Sequence, residues 1–166
     1  MCRRSRCTSS RSPTPKLPNV TTAVNIAVTT SLPEVWDDPI FTTTQAAALL
    51  AQPHHHLLLA FNEHHQVSGH LLLQAVPTMQ ADILTLYVPP THRRSGIARA
   101  LVQQALTLAK TQGCQGLTLE VDATNTPAIT LYQSCGFQHI GTRAAYYRKA
   151  VSNTKVDALV MAVSLA

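Results

Sequence analysis

The stretch THRRSGIARALVQQAL, residues 91–106, decides the fold. Two arginines, a serine and a glycine stand directly ahead of a run in which Ile97, Leu101 and Ala105, then Leu108 beyond it, recur at helical spacing. The spacing predicts a helix over residues 95–112 that Gly113 can close. A helix start leaves several backbone N–H groups without partners and carries partial positive charge. A glycine there admits close approach to the backbone, and arginines add charge and forked donors. Together these suit a phosphate or pyrophosphate. Gly-x4-Gly-Lys-Ser/Thr is absent, which excludes a Walker loop, and one glycine stands where a dinucleotide fingerprint needs three. Taken alone, the stretch is equally well read as a solvated helix start with a chance pair of arginines.

Working outward, DILTLYV (82–88) precedes it as a strand stopped by Pro89 and Pro90. GLTLEVD (116–122) follows as a strand, with Leu117, Leu119 and Val121 on one face and Thr118 and Glu120 on the other. Further upstream, VNIAVT (24–29), HLLLAFN (56–62) and QVSGHLLLQAV (66–76) read as strands, the last two joined by a turn. TTTQAAALLAQ (42–52) reads as a helix with threonines available to cap it. Downstream, TPAITLYQSC is a short helix ended by Gly136, and FQHIGTRAAYY and VDALVMAVSL form a final antiparallel pair. Hairpins first, then strands alternating with helices, predict an α/β (α+β) architecture: a mixed, mostly antiparallel sheet flanked by helices.

The 166 residues suggest one domain, with 45% apolar residues for its core. The formal charge of +5 is placed unevenly. Arg3, Arg4, Arg6, Arg11 and Lys16 lie in the first sixteen residues without an acid, and the rest of the chain balances eight cations against eight acids. Residues 1–20 are therefore expected to be a disordered basic tail, rich in Ser, Arg and Pro, ahead of a domain over 21–166. Such a tail is a weak basis for a nucleic-acid partner, and none is expected. No apolar run approaches 18 residues, so no membrane is expected either. Cys2, Cys7, Cys114 and Cys135 show no Cys-x-x-Cys spacing, which points to a reducing cytoplasm. His54–His56 and His64–His65 flank a strand-like run and are read as loop histidines, with no metal expected.

The stretch YVPPTHRRSGIARALV resembles the acetyl-CoA-binding motif of the GNAT superfamily of N-acetyltransferases, here Arg93-x-x-Gly96-x-Ala98. NTPAITLYQSCGF resembles that family's second motif, an Asn followed by a helix with Leu-Tyr and a closing Gly-Phe. The resemblance covers residues 22–166 and implies the GNAT fold, with acetyl-CoA as co-substrate and no metal. It implies that Leu86, Tyr87 and Val88 hold the pantetheine arm through their backbone. It also places Arg93, Arg94, Ser95, Gly96, Ile97, Ala98 and Arg99 at the pyrophosphate and Asn125 beside the cofactor. LEVDATNTPAITLYQSCGF, RAAYY and DALVMA are similar to the members that acetylate the N-terminal alanine of a ribosomal protein. In that group the strand Glu, here Glu120, is the base, and the helix Tyr, here Tyr132, is the proton donor. Tyr146, Tyr147 and Trp36 then fall on the acceptor side, although Trp36 follows Val35 where that group usually has Pro-Trp.

The chemistry asks for these types. An α-amine arrives mostly protonated at neutral pH, so a base must take a proton before attack on the thioester. Without the resemblance, Glu120 reads as a solvated strand residue and Tyr132 as a packed helix residue. The expected acceptor is a protein N-terminus. A small amine, polyamine or amino acid is the alternative, and a non-catalytic acetyl-CoA-binding module is the second. A monomer or weak homodimer is expected.

Overall fold

The computed structural model describes residues 24–148 and 154–165. The basic tail, its boundary at residue 20, and Cys2 and Cys7 lie outside the described residues. The chain order is β1 (Asn25–Thr29), α1 (Thr43–Leu50), β2 (His55–Phe61), β3 (Val67–Gln74), β4 (Gln80–Tyr87), α2 (Ile97–Thr111), β5 (Gly116–Asp122), α3 (Thr126–Ser134), β6 (Gln138–Arg148) and β7 (Lys155–Ser164). The strands form one sheet in the order β1-β2-β3-β4-β5-β7-β6. Five of its pairings are antiparallel and β4–β5 alone is parallel, so the expected mixed, mostly antiparallel sheet is present.

The central strands β2 and β3 are buried on both faces. Leu58, Ala60, Leu71 and Leu73 pack with Leu101, Val102, Ala105 and Ala109 of α2. Leu57, Leu59 and Leu72 pack on the other side with Leu50 of α1 and with Leu32, Trp36 and Phe41 of the loop before it. Two-sided burial explains why these strands read as continuous apolar runs rather than as alternation. The α1 start is fixed by a capping box: Gln45 N–H donates to the Thr42 hydroxyl, and Thr42 N–H donates back to Gln45 Oε1.

Two sequence expectations need correction. The α2 helix begins at Ile97, not at 95, because Gly96 is its N-cap with φ 83, a left-handed conformation outside the helix. The histidines at 55 and 56 are not in a loop. They open β2, which starts at His55, one residue ahead of the expected 56, and Ala75 N–H extends the ladder by bonding back to the His54 carbonyl at 2.8 Å. His55 is buried with its ring Nδ1 on Pro53 O at 3.1 Å. Burial, and then the neighbouring His54 and His55, push the His56 pKa down, and its Nε2 is buried without a partner.

Candidate active site

Parallel pairing of β4 with β5 runs from Gln80↔Gly116 to Ile83↔Leu119 and stops there. Both strands continue, β4 to Tyr87 and β5 to Asp122, without pairing to each other. Each keeps its outer neighbour: Leu86 and Tyr87 pair with Leu71 and His70 of β3, while Glu120 and Val121 pair with Val160 and Leu159 of β7. The cause is local. Between Leu72↔Thr85 and Leu73↔Ile83 the residue Leu84 is extra on β4, a bulge that bends the strand. The result is a wedge between the C-terminal halves of β4 and β5, where the two strands no longer bond each other.

The mouth of α2 lies at the end of β4. A short 3₁₀ turn at Pro90–His92 leads into Arg94 (φ 64) and Gly96 (φ 83). Within α2 the first amide bonded to the chain is Ala100 N–H, to Gly96 O at 3.0 Å, and the amides ahead of it point out of the helix mouth. One contact ties this turn to the end of β4 and another braces it internally. Arg93 Nε donates to Val88 O at 3.0 Å, and Ser95 Oγ donates to His92 O at 2.5 Å. Arg93 therefore braces the loop, and the Val88 carbonyl it occupies is spoken for. Gly69 on β3 was missed in the sequence. A Cβ there would meet Ile97 Cγ2 at 2.9 Å, Val88 Cγ2 at 3.1 Å and Tyr87 O at 3.2 Å, so glycine is what lets the first residue of α2 seat on the sheet.

Across the wedge, Glu120 projects from β5 with its side chain 24% exposed. Its carboxylate accepts from Arg143 Nε at 2.9 Å. Tyr147 donates its hydroxyl to the Glu120 carbonyl at 3.3 Å, and Tyr146 meets Tyr147 edge-on with centroids 5.1 Å apart. A hydrogen bond to Glu120, then the carboxylate's charge and burial, push the Tyr146 phenol up against the opposing charge of Arg143. Tyr132 sits on α3, 7% exposed, with Phe137 packed at 5.8 Å. Burial first, then Tyr147 and Cys135, push its phenol up to about 12. Tyr132 therefore stays protonated at neutral pH, as a donor must. Asn125 caps α3 through Oδ1, which accepts from Ala128 N–H at 3.3 Å.

A second group escaped sequence reading. Asp38, with a fully buried side chain, accepts from His70 Nε2 at 2.7 Å and Thr85 Oγ1 at 2.8 Å through Oδ2, and from the Ile40 and Phe41 amides at 2.7 Å each through Oδ1. Burial raises its pKa, but the bonds from His70, Phe41, Ile40 and Thr85 outweigh it and hold the carboxyl below the usual value. Trp36 lies on the His70 ring at 4.3 Å and donates its Nε1–H to Phe41 O at 2.8 Å. The loop before α1 is thus clamped to β3 and to the bulged part of β4. A cleft of about 540 Å³ opens beside it, lined by Glu34, Val35, Asp37, His70 and Pro89 among others. Trp36 is fixed by its own contacts rather than presented on the surface. The only polar signal in the sequence was an Asp-Asp-Pro turn and one histidine in an apolar strand, 32 residues apart.

The family model of the acetyltransferase (GNAT) family matches residues 22–137, which include the wedge, the α2 mouth, Glu120 and Tyr132. The chain belongs to the GNAT family. The [ribosomal protein bS18]-alanine N-acetyltransferase of Escherichia coli is 34% identical over 86 residues, 52% of this chain and 57% of that protein. The N-alpha-acetyltransferase RimI of Mycobacterium tuberculosis is 36% identical over 77 residues, 46% of each chain. The chain thus spans about half the length of the curated relatives it matches. Among solved structures, the ribosomal-protein-S18-alanine N-acetyltransferase of Escherichia coli superposes with a TM-score of 0.68 at 25% identity, covering 76% of this chain and 78% of that one. Arabidopsis thaliana NAA60 in complex with acetyl-CoA shares the fold at a TM-score of 0.65 and 20% identity, covering 75% and 84%.

Against this GNAT frame, the residues singled out in the sequence fall into three places. Leu86, Tyr87 and Val88 line the β4 side of the wedge, and Arg93 to Arg99 form the α2 mouth. Glu120, Tyr146 and Tyr147 gather on the β5–β6 side, with Tyr132 and Asn125 on and ahead of α3. Trp36 alone is apart, stacked on β3. Among the described residues no group of three or more His, Cys, Asp or Glu could hold a metal ion, and no helix is long and apolar enough to cross a membrane.

Proposed function

We propose that this chain transfers the acetyl group of acetyl-CoA to an amine, the N-terminal α-amine of a protein. The observation that carries the reading is the wedge. It ends at an anion-suited helix mouth on one side and places a carboxylate and a protonated phenol on the other. Backbone groups of Leu86 and Tyr87 would hold the pantetheine arm, and the amides of Arg94 to Arg99 the pyrophosphate. Arg93 acts by bracing that loop. The names of the relatives, which act on alanine or α-amino termini, support a protein N-terminus as acceptor.

In the step itself, Glu120, directly or through water, takes a proton from the acceptor ammonium. The freed nitrogen attacks the thioester carbonyl and the C–S bond breaks, with its electron pair leaving on sulfur, to which the Tyr132 hydroxyl can donate; the nitrogen's remaining extra proton passes to solvent, which returns a proton to the thiolate. Incubation with acetyl-CoA and a panel of N-terminal peptides and small amines, read by mass spectrometry, tests this. A gain of one acetyl group on the α-amine of an alanine-starting peptide is expected. Acetylation confined to lysine side chains or polyamines overturns the acceptor, and no transfer to any amine overturns the activity.

A further inference from the structure

The carboxylate proposed to receive the acceptor's proton already has a cation on it. Arg143 Nε donates to Glu120 Oε1 at 2.9 Å, and the same guanidinium lies 5.6 Å from the centroid of the Tyr146 ring. A carboxylate beside an aromatic face is a cation site in its own right. Here the site is built by backbone irregularity. Arg143 and Tyr146 are three apart, and an unbroken strand would send them to opposite faces. Between Arg143↔Ala158 and Tyr147↔Val156, however, residues 144–146 stand opposite Asp157 alone. Ala145 takes φ 54 there, with its N–H on Asp157 Oδ1 at 2.8 Å, and the turn brings Tyr146 under Arg143. Tyr147, anchored on the Glu120 carbonyl, backs Tyr146 edge-on.

We propose that Arg143 is an internal stand-in for the acceptor: its guanidinium occupies the cation position between Glu120 and Tyr146, and the acceptor's ammonium must displace it to be deprotonated. This rests on the acetyltransferase reading of the site. An acceptor ammonium needs the same carboxylate, and the Arg143 guanidinium already fills the place beside both Glu120 Oε1 and the Tyr146 ring. The stand-in is weakly held. The Arg143 side chain is 59% exposed, so the pair is of the solvent-screened kind, worth roughly 1.4- to 5-fold in an equilibrium constant. Displacement is therefore within reach of a weakly binding peptide. Until one arrives, Glu120 is covered. Arg143 thus sets the acceptor concentration at which the enzyme works and favours acceptors that bring a cation over neutral nucleophiles and water.

The test compares wild type with Arg143→Gln and Arg143→Lys, using acetyl-CoA and an alanine-starting hexapeptide. Arg143→Gln is expected to lower the peptide KM by about 1.4- to 5-fold and leave the acetyl-CoA KM unchanged, and Arg143→Lys to bring the peptide KM back toward wild type. A peptide KM that is unchanged or raised in Arg143→Gln overturns the proposal; if kcat also falls, Arg143 orients Glu120 instead of covering it. A wild type that transfers nothing to any amine defeats the acetyltransferase reading, and the stand-in is then decided by binding alone. L-alaninamide is titrated into each protein and followed by NMR of the tyrosine rings. Tighter binding by Arg143→Gln, in the same range, upholds it, and equal binding or none in both proteins overturns it.

Discussion

Replacing Tyr132 with Phe isolates one proton. The ring and its packing on Phe137 at 5.8 Å are kept, and the hydroxyl is lost. Its size of effect follows from the environment. The phenol is pushed up to about 12, chiefly by burial. An alkyl thiol has a pKa near 8.5, so complete transfer from this phenol to a departing thiolate is uphill by about 5 kcal/mol. The hydroxyl therefore acts mainly as a hydrogen-bond donor to sulfur as charge builds there. A hydrogen bond to a charged group is worth about 1.5–3 kcal/mol, which converts to roughly a 10- to 150-fold fall in kcat. That lies at or below the low end of the 10²–10⁴-fold range for a full general acid. Acetyl-CoA affinity should barely move, because the interaction belongs to the transition state. Single-turnover kinetics with an alanine-starting peptide, alongside calorimetry of acetyl-CoA binding, provide the readout. An unchanged chemical rate removes Tyr132 from the mechanism. A loss beyond about 10³-fold with intact folding refutes the uphill-transfer reasoning and means that the bound thioester brings the phenol's pKa down.

The remaining expectations concern stability and the cofactor loop. Asp38→Ala strands His70, Thr85 and two backbone amides, and leaving buried donors without their acceptor costs about 1–3 kcal/mol in urea unfolding; a loss under about 0.5 kcal/mol would show that the clamp is incidental. The Asp38 carboxyl is held below its usual value, so its contribution is present above the unfolded pKa of 3.8 and is lost as pH falls through the lower folded value, which makes wild type more acid-sensitive than Asp38→Asn. Tyr132 gives the opposite sign: with the phenol raised from 10.0 to about 12, stability is full below pH 10 and falls by up to about 3 kcal/mol as pH rises through the folded value, a loss absent in Tyr132→Phe. Gly69→Ala forces a contact at 2.9 Å on Ile97 and should cost about 1–3 kcal/mol and weaken acetyl-CoA binding by displacing the α2 mouth. Gly96→Ala meets nothing within 4 Å and pays only for its φ of 83, about 1–2 kcal/mol; equal effects of the two alanines on cofactor affinity would deny Gly69 its seating role.

What the sequence discloses and what it hides differ in range along the chain. Leu117, Leu119 and Val121 alternate in the sequence and are buried in the structure at 0%, 3% and 5%, because a strand's side-chain period is local information. The α2 mouth is legible for the same reason: its glycine, serine and arginines are neighbours in the chain. The start of α2 was placed two residues early because a period counts side chains, whereas the helix ends where Gly96 turns left-handed. The strand reading begins at His56, one residue late, because His55 is a polar letter whose place in the ladder comes from β3, opposite Gln74.

The harder losses are contacts across the sheet. Asp38 and His70 are 32 residues apart, and Thr85 lies 15 beyond His70; no spacing rule joins them, because the bulge at Leu84 and the pairing of β3 with β4 do. Arg143 illustrates the same limit from the other side. As a letter it is one cation in an exposed edge strand, and alternation would place it away from Tyr146. Only the irregular step around Ala145 sets Arg143 on both Glu120 and Tyr146. Both polar groups are therefore made by departures from strand regularity, the bulge at Leu84 in β4 and the irregular step over residues 144–146 in β6. A regular β4 would stay paired with β5 past Leu119 and close the wedge, and a regular β6 would leave Glu120 without its tyrosine wall. The motifs in the sequence mark where the site is, and the two irregularities make it a site.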